Sequence, residues 1–280
     1  MKQLIVPALL LFFAPVLAHA DEKADLQKMA QEHQRDKPVA SPAAMEAPAQ
    51  PVDGAEVTYG EIGGKPLHGY AAHPKSAKGP LPGVIVIHEW WGLNDNIRAM
   101  TRRLAGEGYE ALAVDLYAGS HAESPDEAMK LMNAVLQSPA PAQDNLRHAA
   151  AWLEGKKVTK LGVIGWCFGG GWSLNTTLMM PDKIAATVIY YGHLETDPAK
   201  LATIKHPVLA NFGGADPSIP ADTIQAFENT LKKQGTPVDV KIYPGAAHAF
   251  ANPSGQSYRP DAAKDAWRRT TAFFAANLKK

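Results

Sequence analysis

The chain has 280 residues, and 46 % of them are hydrophobic, which is enough for one sizeable core. Its 28 basic side chains balance its 28 acidic ones, and this balance argues against a nucleic-acid-binding protein, which needs a basic surface. A single cysteine excludes an intramolecular disulfide and a cysteine-based zinc cluster. Composition therefore indicates a globular domain without naming its function.

The first 20 residues have the layout of a secretory signal peptide. Lys2 gives a positive start, residues 4–17 are almost wholly apolar, and Ala18-His19-Ala20 has the small–x–small pattern of a cleavage site. We expect cleavage after Ala20 and a mature protein in the bacterial periplasm or outside the cell, without membrane association. The alternative is an uncleaved anchor, but the apolar run is short for a membrane span.

Residues 21–55 are rich in alanine, proline, glutamine and charge, and they contain few large apolar side chains. Such a segment buries too little surface to offset the entropy of its chain. We therefore predict a flexible linker over residues 21–55 and a single folded domain over residues 56–280.

The folded domain alternates strand-like and helix-like patterns. It opens with two short strands, Glu56–Glu61 and Pro66–His73, which are joined at Gly63-Gly64 in a hairpin. The strand-like apolar runs that follow are Val84–His88, Glu110–Asp115, Leu161–Ile164, Ala186–Tyr191, Val208–Phe212 and Val238–Tyr243. The helical segments are Asn94–Gly106, Pro125–Gln137, Ala142–Leu153, Gly169–Met179, Ala221–Lys233 and Asp261–Leu278. This alternation predicts an α/β domain with a mostly parallel central sheet and helices on both faces.

A glycine-rich turn follows the strand-like run Leu161–Ile164. Its sequence, Gly165-Trp166-Cys167-Phe168-Gly169, matches the G-x-S-x-G nucleophile elbow of the α/β-hydrolase fold with cysteine in place of serine. The elbow would put Cys167 at the amino end of a helix, where the helix dipole lowers the pKa of a thiol. The alternative is a buried structural cysteine in a strand–helix turn.

A nucleophile elbow requires an acid and a histidine later in the chain, in that order. Asp216 follows the strand Val208–Phe212, and His248 follows the strand Val238–Tyr243, so both lie in loops at the same end of the sheet as Cys167. His248 would pair with the thiolate, and Asp216 would fix the imidazole tautomer. Taken singly, each of the two is also an ordinary loop residue.

The loop after Val84–Ile87 reads His88-Glu89-Trp90-Trp91-Gly92. It is not the zinc motif H-E-x-x-H, because glycine stands in the fifth position, and we expect no metal and no cofactor. In an α/β-hydrolase this loop supplies one backbone N–H of the oxyanion hole, for which we select Trp90, and Phe168 supplies the other. Physical argument alone gives Glu89 no role, since a carboxylate repels a thiolate.

Residues 56–280 resemble the dienelactone hydrolase family. The resemblance is carried by H-E-x-x-G at His88–Gly92, D-L-Y at Asp115–Tyr117, G-x-C-x-G-G at Gly165–Gly170 and H-x-F at His248–Phe250. It implies hydrolysis of lactones and related esters by a Cys-His-Asp triad through a thioester, as in carboxymethylenebutenolidases. It also implies that Glu89 contacts the thiol at rest and accepts its proton once substrate binds.

The chain departs from the dienelactone-cleaving members at one position. Those members have an arginine four residues after the triad histidine, where it grips the carboxylate of the substrate, and this chain has Asn252 there. The catalytic residues are thus all present, but this departure argues against dienelactone itself as the substrate. The candidate pocket residues, which are equally compatible with core packing, are Trp91, Tyr117, Trp166, Tyr191, Phe250 and Asn252.

The leading hypothesis is an exported hydrolase of lactones or small carboxylic esters that acts through Cys167 on a small-molecule substrate. The alternative is a periplasmic binding protein of the same fold that lacks catalysis. A redox protein is disfavoured, because no second cysteine is present to resolve an oxidised thiol. The sequence does not specify the natural substrate or the oligomeric state.

Overall fold

The computed structural model describes residues 31, 33–36, 38 and 46–280. The predicted signal peptide and its cleavage site lie outside these residues, as do parts of the predicted linker. No helix in the part of the chain so described is long and apolar enough to cross a membrane.

One eight-stranded sheet and seven helices make up the domain from Val52 to Leu278. The strands are β1 (Val52–Ile62), β2 (Lys65–Pro74), β3 (Gly83–Ile87), β4 (Glu110–Val114), β5 (Leu161–Trp166), β6 (Ile184–Tyr190), β7 (Val208–Gly213) and β8 (Val238–Tyr243). The helices are α1 (Asp95–Gly106), α2 (Pro125–Gln137), α3 (Ala140–Gly155), α4 (Phe168–Met179), α5 (Pro198–Leu201), α6 (Ala221–Lys233) and α7 (Pro260–Leu278).

The sheet has the strand order β1-β2-β4-β3-β5-β6-β7-β8. Strand β2 runs antiparallel to both of its neighbours, and every later pair, from β4–β3 to β7–β8, is parallel. All five residues of β3 and all six of β5 are buried, which explains their unbroken apolar sequence. The predicted mostly parallel α/β architecture is confirmed.

Helices cover both faces of the sheet, as strand β5 demonstrates. A side chain at Gly162 would meet Leu278 and Phe274 of α7, whereas one at Gly165 would meet Gly169 of α4. Residues 162 and 165 point to opposite faces, because side chains alternate along a strand. Helices α4 and α7 therefore lie on opposite sides of the sheet.

Most element boundaries agree with the sequence prediction to within two residues. The predicted hairpin forms around Gly63 and Gly64, whose φ angles of 58° and 78° suit a tight two-residue turn. Strand β1 starts at Val52, four residues before the predicted domain boundary, because its first half is exposed and lacks an apolar signal. The four-residue helix α5 is too short to show a helical period, and the sequence did not reveal it.

Candidate active site

Cys167 lies between β5 and α4 in a strained backbone conformation. Its φ of 55° and ψ of −119° are rare for a residue with a side chain, and they turn the chain sharply from strand to helix. A side chain at Gly165 would collide with the carbonyl oxygen of Gly169, and one at Gly169 would collide with that of Ile87. The glycines of the predicted elbow are thus required by close backbone packing.

His248 and Asp216 form a buried pair beside this elbow. The imidazole Nδ1 of His248 is 2.7 Å from Oδ2 of Asp216, and both side chains are nearly inaccessible to solvent. The hydroxyl of Ser218 donates to Oδ1 of Asp216 at 2.5 Å, and the Ser218 N–H donates to the same oxygen at 2.9 Å. Sequence reasoning missed Ser218, although an aspartate that bonds the residue two places later is a familiar turn.

The electrostatics of this pair favour a protonated histidine. Burial alone would lower the pKa of His248, but the charges of Cys167 and Asp216 and the hydrogen bonds to them hold it well above its ordinary value. Burial alone would raise the pKa of Asp216, but the charge of His248 and the hydrogen bonds from His248 and Ser218 hold it below its ordinary value. Both shifts favour an imidazolium next to a carboxylate.

Glu89 is buried on the other side of Cys167, in the turn that follows β3. Burial raises the pKa of its carboxyl group to about 7, with opposing contributions from the charge of His248, which lowers it, and that of Asp36, which raises it. The amide of Asn252 donates to Oε2 of Glu89 at 2.7 Å, and the hydroxyl of Tyr191 donates to Oε1 at 3.4 Å. A carboxyl group with this pKa exchanges protons readily near neutral pH.

Asn252 is fixed by Glu89 and its own loop. Its Oδ1 accepts hydrogen bonds from the Ser254 N–H at 2.9 Å and from the Asn96 amide at 3.3 Å, so both ends of its side chain are engaged. The sequence analysis placed Asn252 in the substrate pocket. In the structure it lines a small cavity together with Glu89 and Cys167, and its buried amide orients the Glu89 carboxylate.

A larger cavity of about 220 Å³ is lined by Cys167 and His248 but not by Glu89. Helices α2 and α4 supply most of its apolar wall, and the segment after β6 and the loop after Asp216 supply the rest. Its apolar and aromatic side chains are Met132, Leu136, Phe168, Trp172, Leu174, Tyr191, Leu194 and Ile219. The lining described for it contains no lysine or arginine. The lining comes from distant segments, and the sequence analysis identified only Cys167, Phe168, Tyr191 and His248 among its members.

The predicted aromatic residues divide into two groups. Tyr191 lines the larger cavity, while Trp91 lines a smaller cavity next to Glu89. Tyr117, Trp166 and Phe250 line neither cavity and pack behind them, for these side chains are buried against other aromatic rings. Such packing is the alternative interpretation given for them, because aromatic residues serve cores as readily as binding sites.

The two predicted oxyanion-hole residues lie at the same end of the sheet. Trp90 lies in the turn that the Gly92 N–H closes on the Glu89 carbonyl, and Phe168 begins α4 directly after Cys167. Helix α4 thus presents its amino end to the site, where unpaired N–H groups favour negative charge. Within residues 46–280 and the short described stretch before them, no three His, Cys, Asp or Glu side chains converge as a metal site.

Comparison with known proteins agrees with this fold. The model of the dienelactone hydrolase family matches residues 67–278. Protein usf of Aquifex pyrophilus is 37 % identical over 226 residues, covering 78 % of this chain and 96 % of its own. A relative from Escherichia coli strain K12, provisionally named a carboxymethylenebutenolidase, is 33 % identical over 253 residues, covering 85 % and 93 %.

A solved structure gives the same result in three dimensions. A protein from Klebsiella pneumoniae subsp. pneumoniae, provisionally assigned as a dienelactone hydrolase, superposes with a TM-score of 0.72 and 31 % identity. The superposition covers 81 % of this chain and 99 % of that structure. With its α/β-hydrolase fold and a family match over most of its length, the chain belongs to the dienelactone hydrolase family.

Proposed function

We propose that this hydrolase cleaves lactones or small carboxylic esters with Cys167 as the nucleophile, through a thioester. The observation that carries the proposal is the strained elbow of Cys167 beside the buried His248–Asp216 pair. A nucleophile, a base and an orienting acid in this order match the chemistry of acyl transfer.

Acylation begins with the thiol of Cys167 as it meets the bound ester. The imidazolium of His248 cannot take a further proton, whereas the Glu89 carboxylate, with a pKa of about 7, can accept the proton of the thiol. The sulfur then bonds to the carbonyl carbon, and the N–H groups of Trp90 and Phe168 hold the negative oxygen. When the C–O bond breaks, His248 gives its proton to the departing alcohol, and a thioester remains.

Deacylation returns every group to its starting state. Neutral His248 removes a proton from water, and the resulting hydroxide attacks the thioester carbonyl. The C–S bond breaks, the acid leaves, and the sulfur recovers its proton from Glu89. Asp216 stabilises the imidazolium that forms in this half of the cycle. One ester and one water thus become one acid and one alcohol.

The larger cavity supports an uncharged substrate. The cationic group in its lining, His248, is already paired with Asp216, and the carboxylate of Glu195 in the same lining would repel an anionic group, so an anion buried there would be costly. We therefore propose neutral esters and lactones with an apolar substituent, rather than substrates that carry a free carboxylate. The protein is also proposed to be exported, on the basis of residues 1–20 and the cleavage pattern at Ala20.

The nucleophile is tested by replacing Cys167 with alanine. We expect turnover of 4-nitrophenyl acetate to fall by several orders of magnitude, since loss of a triad nucleophile costs about 10⁶-fold in kcat in a related catalytic arrangement. In the wild type, mass spectrometry of the quenched reaction should find the acyl group on the peptide that contains Cys167. Full activity in Cys167→Ala, with the acyl group elsewhere, contradicts the mechanism.

The same experiment separates this proposal from its alternative. A binding protein of this fold would release no burst of 4-nitrophenol from the ester and would form no thioester, although it would bind the ester. Alkylation of the wild-type thiol should abolish the burst. Cys167→Ser serves as the matched variant, and it should be much slower than the wild type because a hydroxyl is far less acidic than a thiol.

A further inference from the structure

A short segment before the folded domain lies against the catalytic residues. His33 and Asp36 belong to the stretch predicted as a flexible linker, yet they are only 3 % and 6 % exposed. Both would remain in a mature chain that begins after Ala20. Two polar side chains this deeply buried require specific partners.

The segment is anchored by hydrogen bonds at both of these residues. Nδ1 of His33 is 2.6 Å from Oδ2 of Asp36, and the Asp36 N–H donates to the His33 carbonyl at 3.0 Å. The other carboxylate oxygen of Asp36 accepts from the backbone N–H of Gln256 at 2.9 Å. Gln256 lies in the loop that follows His248, so the segment is tied to the loop that carries the catalytic histidine.

The His33 ring closes one side of the site. Its centroid is 5.5 Å from that of the His248 ring and 6.0 Å from that of the Trp90 ring, with edge-to-face geometry in both contacts. It lines the small cavity that also contains Glu89 and Cys167, and about 10 Å³ of free volume remains there. This is at most the space of one water molecule.

The two sides of the nucleophile therefore differ greatly in room. The larger cavity and the small one share Cys167 and His248, but they hold about 220 Å³ and 10 Å³ respectively. An ester carbonyl has two substituents, the acyl chain and the alcohol, which extend in different directions from the attacked carbon. When one of them occupies the larger cavity, the other extends toward the remaining surroundings of Cys167, which include the small cavity.

We propose that His33, held by Asp36, is a specificity-determining residue that limits the substituent on the Glu89 side of Cys167 to a small group. The assignment rests on the proposed esterase function and names its substrate class: lactones, and esters with one large apolar substituent and one small one. The Nε2 atom of His33 is buried without a hydrogen-bond partner among the described residues. It supplies a polar contact for an oxygen of the small group.

The first test compares esters that are bulky on one side or on both. Methyl phenylacetate, benzyl acetate and benzyl phenylacetate form such a set. We expect His33→Ala to raise kcat/KM for benzyl phenylacetate about tenfold relative to the other two esters. Small changes in the room that a pocket offers a substituent alter selectivity by about 10–200-fold. Gln34→Ala is the matched control, since Gln34 belongs to the same segment and is exposed.

A second test probes the space between His33 and Cys167 without requiring enzymatic turnover. The rates at which iodoacetamide and the bulkier N-benzylmaleimide alkylate Cys167 are compared in the full-length wild type, His33→Ala and Asp36→Ala. Both variants should accelerate the bulky reagent selectively, because Asp36 holds the imidazole in place. If the wild type hydrolyses no ester but the ratio of the two alkylation rates shifts in the variants, the esterase proposal fails. The role of His33 in limiting the space beside Cys167 is then still supported.

Two outcomes overturn the inference. One is an alkylation ratio and an ester selectivity that remain at wild-type values in both His33→Ala and Asp36→Ala. The other is an equal gain in kcat/KM for all three esters, which would mean that the segment restricts access for every ester without selecting among them. Thermal unfolding of each variant checks that the domain is intact. If the melting temperature of one variant is altered, the selectivity of the other variant provides the test.

Discussion

At the scale of single residues, the site holds three ionisable groups in different protonation states. The pKa of His248 is held well above its ordinary value and that of Asp216 below it, while burial brings the pKa of Glu89 to about 7. These shifts favour a charged His248–Asp216 pair, whereas the carboxyl group of Glu89 titrates near neutral pH. On this ground we propose Glu89 as the acceptor of the thiol proton.

Glu89→Gln should lower kcat/KM by about 10²–10⁴-fold, the usual range for loss of a general acid–base group. In the wild type, the acceptor must be ionised, and ionisation is complete only above the pKa of about 7. The rate should therefore fall as the pH drops through 7. In Glu89→Gln this limb should disappear from the pH profile of kcat/KM.

Glu154→Gln is the matched control for this carboxylate. Glu154 is exposed and paired with Lys183 at 2.7 Å on the surface, so its loss should leave the limb near pH 7 in place. A Glu89→Gln enzyme that retains both the wild-type rate and the wild-type pH profile would remove Glu89 from the mechanism.

At the scale of elements, the site depends on how closely α4 approaches the sheet. A side chain at Gly169 would collide with the carbonyl oxygens of Ile87 and His88 at the end of β3. Two positions further along α4, a side chain at Gly171 would meet its nearest neighbour, the His193 N, at an ordinary 3.4 Å. The two glycines therefore have different roles on the same helix.

Gly169→Ala should destabilise the fold by about 1–3 kcal/mol, the usual cost of overpacking a tight site. It should also lower kcat, because a shift of α4 moves Cys167. Gly171→Ala should be neutral or stabilising by up to about 1 kcal/mol, since alanine is the better helix former. Urea unfolding midpoints of both variants provide the comparison, and equal midpoints would contradict the packing argument.

At the scale of the whole molecule, the catalytic domain and the chain before it are joined at the site. Asp36 contacts the Gln256 backbone across 220 residues of sequence, and this link places a segment from outside the family match on the catalytic loop. His33 and Asp36 come after the predicted cleavage site, so removal of the signal peptide would leave this contact in the mature protein.

We expect the exported protein to begin at Asp21 and to occur in the periplasmic fraction of a bacterial host. The reason is the small–x–small pattern at Ala18–Ala20 after one apolar run. Intact mass spectrometry of the purified protein measures the processing. A mass that still includes residues 1–20, found in the membrane fraction, would contradict the expectation.

The sequence by itself determined the framework of the fold and the order in which the candidate catalytic groups occur. Buried parallel strands are apolar on both faces, so an unbroken apolar run such as Val84–Ile87 can be recognised from the sequence alone. Tight turns and close backbone contacts require glycine, which revealed the hairpin at Gly63-Gly64 and the elbow around Cys167. These signals are local, because each rests on neighbours within a few residues.

Only the tertiary structure decided which side chains surround the catalytic groups. The bond between Asn252 and Glu89 joins residues 163 positions apart, and the His33 ring reaches His248 from a stretch that resembles a linker. The same holds for the aromatic residues, of which Tyr191 lines the cavity and Trp166 packs behind it. Such pairings depend on where the folded chain brings distant segments together, and no local pattern of polarity or spacing encodes that position.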